Sequence, residues 1–274
     1  VILCEVNEND YSIDLNLAKK LITKKTKAIM MVHLFGECSN IDKIKYFSRK
    51  YKLKIIDDAA QAFGGTYKKK ALGTLGDVGG YSFYGNKTIT TGEGGVAVTN
   101  NRLIAERIRK LKNYGRKNKG TYRHLSVGFN FKFTDLNAAI GLAQLKKFNK
   151  ILLRKKFINR FYRTKLGHLK QIEFSCPNRF AKPIYWFVTI RTKEKNSLSK
   201  YLIKKRIEIR DFFLPMHLQE CFKKNKNVLK KNQKFKTSIK LYKTSLSLPS
   251  SANISVKDLN HVVKSIIKFY DYKN

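Results

Sequence analysis

The sequence predicts an α/β fold in its first half: a mostly parallel sheet flanked by helices over residues 1–150, followed by a smaller α+β unit over residues 151–274. Three observations carry this. Short apolar runs alternate with amphipathic segments of helical period in the first half. That alternation fades beyond residue 150. The chain has 274 residues, of which 42% are hydrophobic, enough to bury the cores of two units and too many for a disordered chain.

Element by element, residues 1–6 (VILCEV) read as a strand and 14–22 as a short helix. Residues 28–34 form a second strand. A helix over 41–51 puts Ile41, Ile44 and either Phe47 or Tyr51 on one side. The apolar run 53–56 is a buried strand that ends in Asp57 and Asp58. Two further strands, 79–84 and 95–99, bracket a glycine-rich turn. Residues 101–114 are helical, with Leu103, Ile104, Ile108 and Leu111 at helix spacing. Thr134 is a good N-cap for a long helix crossing the unit boundary near 150, with Leu136, Ile140, Ala143 and Leu145 or Phe148 on its inner face. In the second unit, 184–190 is a strand and 197–206 a helix, and Ser255 with Asp258 caps a final amphipathic helix.

The charge is extreme: 58 Lys+Arg against 19 Asp+Glu, a formal +39. Phosphate neutralisation makes such a surplus an invitation to nucleic acid. The lysines, however, are spread over every segment, and the densest runs, at 68–70 and 223–234, look like a turn and a polar connection. No zinc-finger, basic-zipper or RNA-recognition signature accompanies them. The excess is read as compositional bias on solvated positions, able to concentrate an anionic small substrate.

Cys4, Cys38, Cys176 and Cys221 form no C-x-x-C pair, so neither a disulfide framework nor a metal site is expected; His217 and Cys221, one turn apart, lack a second ligand pair. No stretch approaches a membrane span, and the first residues lack a signal peptide's basic start and long apolar run. A cytoplasmic protein is the expectation. Val1 opens directly inside an apolar run, so an amino-terminal part is expected ahead of it.

Ligands in open α/β sheets bind beyond the carboxyl ends of the strands. Two sequence features fall there. Asp57-Asp58-Ala59-Ala60-Gln61-Ala62 sets an acid pair and small residues after a buried strand, so a flat ligand could meet the backbone with a carboxylate on a cationic ring nitrogen; an aspartate there serves equally as a helix cap. Tyr81-Ser82-Phe83-Tyr84-Gly85-Asn86-Lys87, then Thr90-Thr91-Gly92-Glu93-Gly94-Gly95, sets a lysine among small and hydroxyl residues, where an amine can lose its proton and act as a nucleophile. Most of the chain's lysines are solvated surface groups.

Together with His33-Leu34-Phe35-Gly36, Val127-Gly128-Phe129-Asn130, Thr134-Asp135-Leu136-Asn137-Ala138-Ala139 and Ser247-Leu248-Pro249-Ser250-Ser251, these motifs resemble the DegT/DnrJ/StrS sugar-nucleotide aminotransferases across essentially the whole chain. The run from Asn86 to Gly95 most resembles the GDP-perosamine synthase branch. The resemblance implies an aspartate-aminotransferase-like fold and pyridoxal 5'-phosphate as cofactor, with Lys87 as the amine that condenses with its aldehyde and Asp58 facing its ring nitrogen. It puts Gln61 by the ring or its phenolic oxygen and Ser82 on the phosphate, and has Asn130 reach the phosphate of the partner subunit in a homodimer. His217 falls among substrate-side residues. Taken without the family, Ser82 reads as a strand hydroxyl, Asn130 as a loop residue, His217 as a surface imidazole and His33 as a residue ordering the core. The implied reaction moves an amino group from glutamate to a nucleotide-linked 4-keto-6-deoxy sugar for a polysaccharide or glycoconjugate. Amination of another keto-sugar nucleotide, UDP- or dTDP-linked or at carbon 3, and an inactive basic fragment binding polyanions are the alternatives. The family's Ser-Gly-Thr-like phosphate loop, which precedes its corresponding first strand, is not in this sequence.

Overall fold

The computed structural model describes residues 1–116, 122–223, 228 and 233–271. Its elements run α1 (Leu15–Leu21), β1 (Ala28–Val32), a 3-10 turn (Leu34–Gly36), α2 (Ile41–Tyr51), β2 (Lys54–Asp58), β3 (Thr66–Tyr67), β4 (Lys70–Ala71), β5 (Val78–Ser82), β6 (Gly95–Val98) and α3 (Arg102–Lys112). Then come α4 (Asp135–Lys146), α5 (Phe148–Leu166), β7 (Glu173–Phe174), β8 (Ala181–Lys182), β9 (Val188–Arg191), α6 (Lys195–Lys204) and β10 (Arg210–Asp211). A 3-10 turn (Met216–Leu218), α7 (Glu220–Lys223), α8 (Lys236–Thr244), β11 (Ser245–Leu248) and α9 (Val256–Asp271) complete the chain. Most of the lysine-rich run around 223–234 lies outside the described residues.

The central sheet has the order β1-β2-β5-β6, with the first three strands parallel and β6 antiparallel to β5. The predicted mainly parallel α/β sheet is therefore present. A second sheet, β10-β11-β9-β7, is antiparallel throughout. A small third sheet joins the two halves of the sequence, since β8 pairs with β3 through Thr66↔Lys182.

Each sheet builds its own core. Ile29, Met31, Ile55, Ile41, Ile44 and Phe47 fill the space between the central sheet, α1 and α2. Ile158, Tyr162, Ile190, Leu198, Leu246 and Ile266 fill the space between the second sheet, α5, α6 and α9. The caps form where side chains can satisfy the first free N–H groups of a helix. The carboxylate of Asp14 accepts from the Asn16 and Leu17 amides, Thr134 Oγ1 accepts from Asn137 N at 3.2 Å, and Ser255 Oγ accepts from Asp258 N at 3.0 Å.

Three expected elements differ. Residues 1–6 form no strand: Leu3 N donates to Val228 O, Asp14 N to Glu5 O, and only an isolated bridge, Val6↔Ile13, remains. Their backbone groups are used partly in the local loop to Asp14 and partly by Val228 and Gln233, whose side chain donates to Leu3 O at 2.8 Å. The long helix through residue 147 is two helices meeting at Lys147 (φ −98°, ψ 0°), and the apolar stripe expected to face inward on α4 is open, with Leu136 at 81% exposure. Strand 184–190 is halved: Tyr185 takes φ +54°, and the amides of Ile184 and Trp186 donate to Gly36 O and Phe35 O instead of to a sheet partner.

Glu37 ends the turn Leu34–Gly36 and is buried. Its Oε1 accepts from the Ser175 hydroxyl, which also accepts from Arg163 Nη2 at 3.1 Å, while Oε2 has no partner. Burial pushes its carboxyl up to about 7, against the Ser175 hydrogen bond and the Arg163 charge. The unfolded value lies near 4.3. The folded state therefore binds more protons across that window, and stability falls as pH rises from about 4.5 to 7, by on the order of 3 kcal/mol. Glu37→Gln should remove this slope: melting temperatures at pH 5 and pH 8 would converge in the variant, and a slope equal to the parent's would contradict the assignment.

Candidate active site

Strand alternation separates the two adjacent acids. Along β1 and β2 the side chains of Ile29, Met31, Ile55 and Asp57 point to the covered face, while Met30, Val32, Ile56 and Asp58 point to the other, more open face. Asp57 is fully buried and its carboxylate is saturated. Oδ1 meets His33 Nε2 at 2.8 Å, and Oδ2 accepts from the amides of Gly73 and Leu75, both at 2.9 Å. This ties the end of β1 to the loop before β5. Asp58 is half-buried and uses Oδ1 to accept from Ala60 N at 3.0 Å, so it does cap the local turn. Its charge also acts on Lys87.

Lys87 sits in the turn after β5, where its amide donates to Tyr84 O at 2.9 Å. Trp186 covers the amine: Lys87 Nζ lies 4.0 Å from the indole centroid, and Trp186 Nε1 donates to Asn86 O at 2.7 Å. Burial holds the Lys87 amine below the ordinary lysine range, with the Asp58 carboxylate acting in the opposite sense. Such an amine is closer to the unprotonated, nucleophilic form than a surface lysine at the same pH.

The backbone beside these groups is bare. Gly80 is the register partner of Asp58. A Cβ built on Gly80 would find its nearest heavy atom, Val96 O, only at 3.9 Å. Ser82, two residues on, shares that face; its Oγ accepts from Tyr84 N at 3.3 Å. Gln61 is turned to the protein instead, its Oε1 accepting from Phe35 N at 2.6 Å and fixing that residue at φ +56°.

Lys87 also borders a cavity of about 1130 Å³ whose other walls come from α5, Phe187 and the turn after β11. Its lining carries Lys147, Lys150, Arg154, Lys155 and Arg210 against a single carboxylate, Glu208. Of the six residues nominated from sequence, Lys87 alone lines this space. Asp58 and Ser82 stand on the sheet side of Lys87. Asn130 is exposed in the loop before α4, bridged to Asn113. His217 stacks on Phe235 (centroids 4.1 Å apart), with Nε2 buried and unpartnered; burial lowers its pKa and the Glu5 charge opposes. Trp186 and Lys155 were not foreseen. The signal for Lys155 was a lysine on the inward stripe of α5 shared with Ile158, Tyr162 and Leu166. Among the described residues no group of His, Cys, Asp and Glu could hold a metal ion, and no helix is long and apolar enough to cross a membrane.

Comparison with known proteins gives a consistent set of matches. The profile of the DegT/DnrJ/EryC1/StrS aminotransferase family matches residues 1–267. GDP-perosamine synthase of Escherichia coli O157:H7 is 37% identical over 255 residues, which cover 92% of this chain and 68% of that protein. The dTDP-3-amino-3,6-dideoxy-alpha-D-galactopyranose transaminase of Aneurinibacillus thermoaerophilus is 32% identical over 272 residues, covering 98% and 72%. Among solved structures, S. venezuelae DesV superposes with a TM-score of 0.90 at 26% identity, over 97% of this chain and 71% of that one.

Proposed function

Since the chain belongs to the DegT/DnrJ/EryC1/StrS aminotransferase family, whose cofactor is pyridoxal 5'-phosphate, we propose that it moves an amino group from glutamate to a nucleotide-linked 4-keto-6-deoxy sugar. GDP-linked sugar is the preferred substrate on this reading, because the 37%-identical relative is a GDP-perosamine synthase. The carrying observation is the placement of Lys87: its amine is desolvated under Trp186, subject to the Asp58 charge, and borders a cavity with cationic walls.

The residues present fit the cofactor. The Asp58 carboxylate and the Ser82 hydroxyl share a strand face that Gly80 leaves without a side chain, and the Asp58 charge reaches the Lys87 amine, so a flat ring can lie against the backbone between them. When bound, pyridoxal phosphate supplies an aldehyde that condenses with amines and a ring that draws electrons from the neighbouring carbon. Lys87 Nζ would then hold and move the proton released from the α-carbon of the amino donor. Asp58 holds a proton on the ring nitrogen, because an adjacent carboxylate stabilises a cationic N–H. Ser82 would offer a hydroxyl to the phosphate, and Gln61, whose Oε1 braces Phe35, would stand by the ring. Trp186 shields one side of the half-buried amine from water. Lys147, Lys150, Arg154 and Arg210 attract the pyrophosphate of the sugar nucleotide.

The active unit on this reading is a homodimer in which Asn130 reaches the partner's cofactor phosphate. The apolar side chains left open around it support that: Phe129 and Phe131 are stacked on one another, and Leu136, Ile140, Leu142 and Leu145 of α4 are all exposed. His217 would serve the substrate only from the partner's side or after movement, since it lies outside the cavity lining. Four free cysteines, two of them exposed, support a reducing cytoplasmic setting.

The test is a glutamate-dependent amination screen over GDP-, UDP- and dTDP-linked keto sugars, read by mass spectrometry, with pyridoxal phosphate supplied and Lys87→Ala as control. Preferred amination of the GDP sugar supports the reading. Preference for a dTDP sugar favours the second reading, for which the Aneurinibacillus relative speaks. Absence of the visible band of attached pyridoxal phosphate, together with salt-dependent polyanion binding, would favour a non-catalytic basic protein.

A further inference from the structure

Lys155 is a buried cation that the proposed reaction leaves without a task. It occupies the inward stripe of α5 at 8% exposure, and no carboxylate pairs with it among the described residues. Its Nζ donates instead to two main-chain carbonyls from distant parts of the chain, Trp186 O at 2.9 Å and Ser250 O at 2.7 Å. Ser250 lines the cavity reached by Lys87, and Trp186 directly precedes Phe187, which lines it too.

Trp186 is thereby held at three points. Its amide donates to Phe35 O at 2.8 Å, its indole N–H to Asn86 O at 2.7 Å, and its carbonyl accepts from Lys155. The first fixes the segment against the turn after β1, and the second fixes the ring against the residue preceding Lys87. The third joins both to α5 and to the turn after β11. We infer that Lys155 is a positioning residue: by pinning the Trp186 and Ser250 carbonyls it holds the indole over Lys87 Nζ and so keeps that amine desolvated. The inference rests on the proposed role of Lys87.

The choice of lysine fits two acceptors. A neutral amine has two N–H donors and an ammonium three, so both bonds can persist in either charge state. Burial lowers the Lys155 pKa to about 8. The anchor is therefore not a pH switch near that value. What disrupts it is the loss of the donors.

Trp186 is the chain's single tryptophan, so intrinsic fluorescence of the full chain reports this site alone. Lys155→Met should shift the emission to longer wavelength and raise acrylamide quenching several-fold, with far-UV circular dichroism unchanged. The pH midpoint for acylation of Lys87, followed by peptide mass spectrometry, should rise toward the ordinary lysine value near 10.4. Lys155→Arg keeps donors for both carbonyls and should retain the shielded indole and the low midpoint. A folded Lys155→Met with parental quenching and midpoint overturns the inference, as does a folded Lys155→Arg with an exposed indole. Should Lys155→Met fail to fold, Lys155→Gln, whose shorter side chain cannot span both carbonyls, must itself raise acrylamide quenching; parental quenching in that variant overturns the inference. None of these readouts needs cofactor or substrate, so a failed amination screen is a separate result.

Discussion

Lys87→Ala is expected to lower glutamate-dependent amination by roughly 10²–10⁴-fold through loss of proton transfer alone, and to abolish the visible band of attached pyridoxal phosphate. Stability should change little. The half-buried amine gives up a cation–π contact with Trp186 at 4.0 Å, worth about 0.5–1 kcal/mol where partly exposed. Lys87→Arg separates charge from nucleophilicity, because a guanidinium keeps the cation but stays protonated at working pH. It should be as inactive as the alanine variant while retaining the cation over the indole. Turnover in Lys87→Arg within tenfold of the parent would mean that the amine serves only as a charge, and the assignment of Lys87 as proton carrier would fall.

Much of this site could be read before folding because its parts are local. An apolar run ending in two acids, and a lysine in a hydroxyl- and glycine-rich turn after a buried strand, each occupy a few consecutive residues, and strand alternation already implies that Asp57 and Asp58 face opposite ways. Trp186 could not be placed in the same manner. Residues 184–190 have strand composition, yet the carbonyls of Phe35 and Gly36, some 150 residues earlier, take the first amides, and the segment leaves the sheet just where it covers Lys87. Tertiary hydrogen bonding overrides β-propensity there. The apolar period of α4 was legible as well, but periodicity says that a face must be covered and not by what; Leu136 and Ile140 remain open in the isolated chain. The same limit applies to Asn130, whose implied role depends on a second subunit.

The adjacent pair Asp57 and Asp58 should respond to the same substitution in opposite ways. Asp58→Asn keeps an oxygen for the Ala60 amide, so the fold should stay within about 0.5 kcal/mol of the parent, as for most substitutions that leave local bonding intact. What disappears is the negative charge that would stabilise a protonated ring nitrogen. By analogy with the removal of one preorganised electrostatic partner, turnover should fall by about 10²–10³. Because the Asp58 charge raises the Lys87 pKa against the larger effect of burial, the Lys87 midpoint should fall further without it, giving a readout independent of turnover. Asp57→Asn removes charge from a fully buried acceptor bonded to His33, Gly73 and Leu75. An amide with its NH₂ toward Gly73 and Leu75 sets donor against donors, and the other orientation needs His33 Nε2 to accept, which moves the ring proton to Nδ1, a buried atom with no partner; a buried donor or acceptor left unpaired costs about 1–3 kcal/mol. Thermal melts alongside kinetics should therefore show lost stability at Asp57 and lost turnover at Asp58. A destabilised Asp58→Asn with turnover falling only in proportion to its unfolded fraction would make Asp58 a turn cap and nothing more.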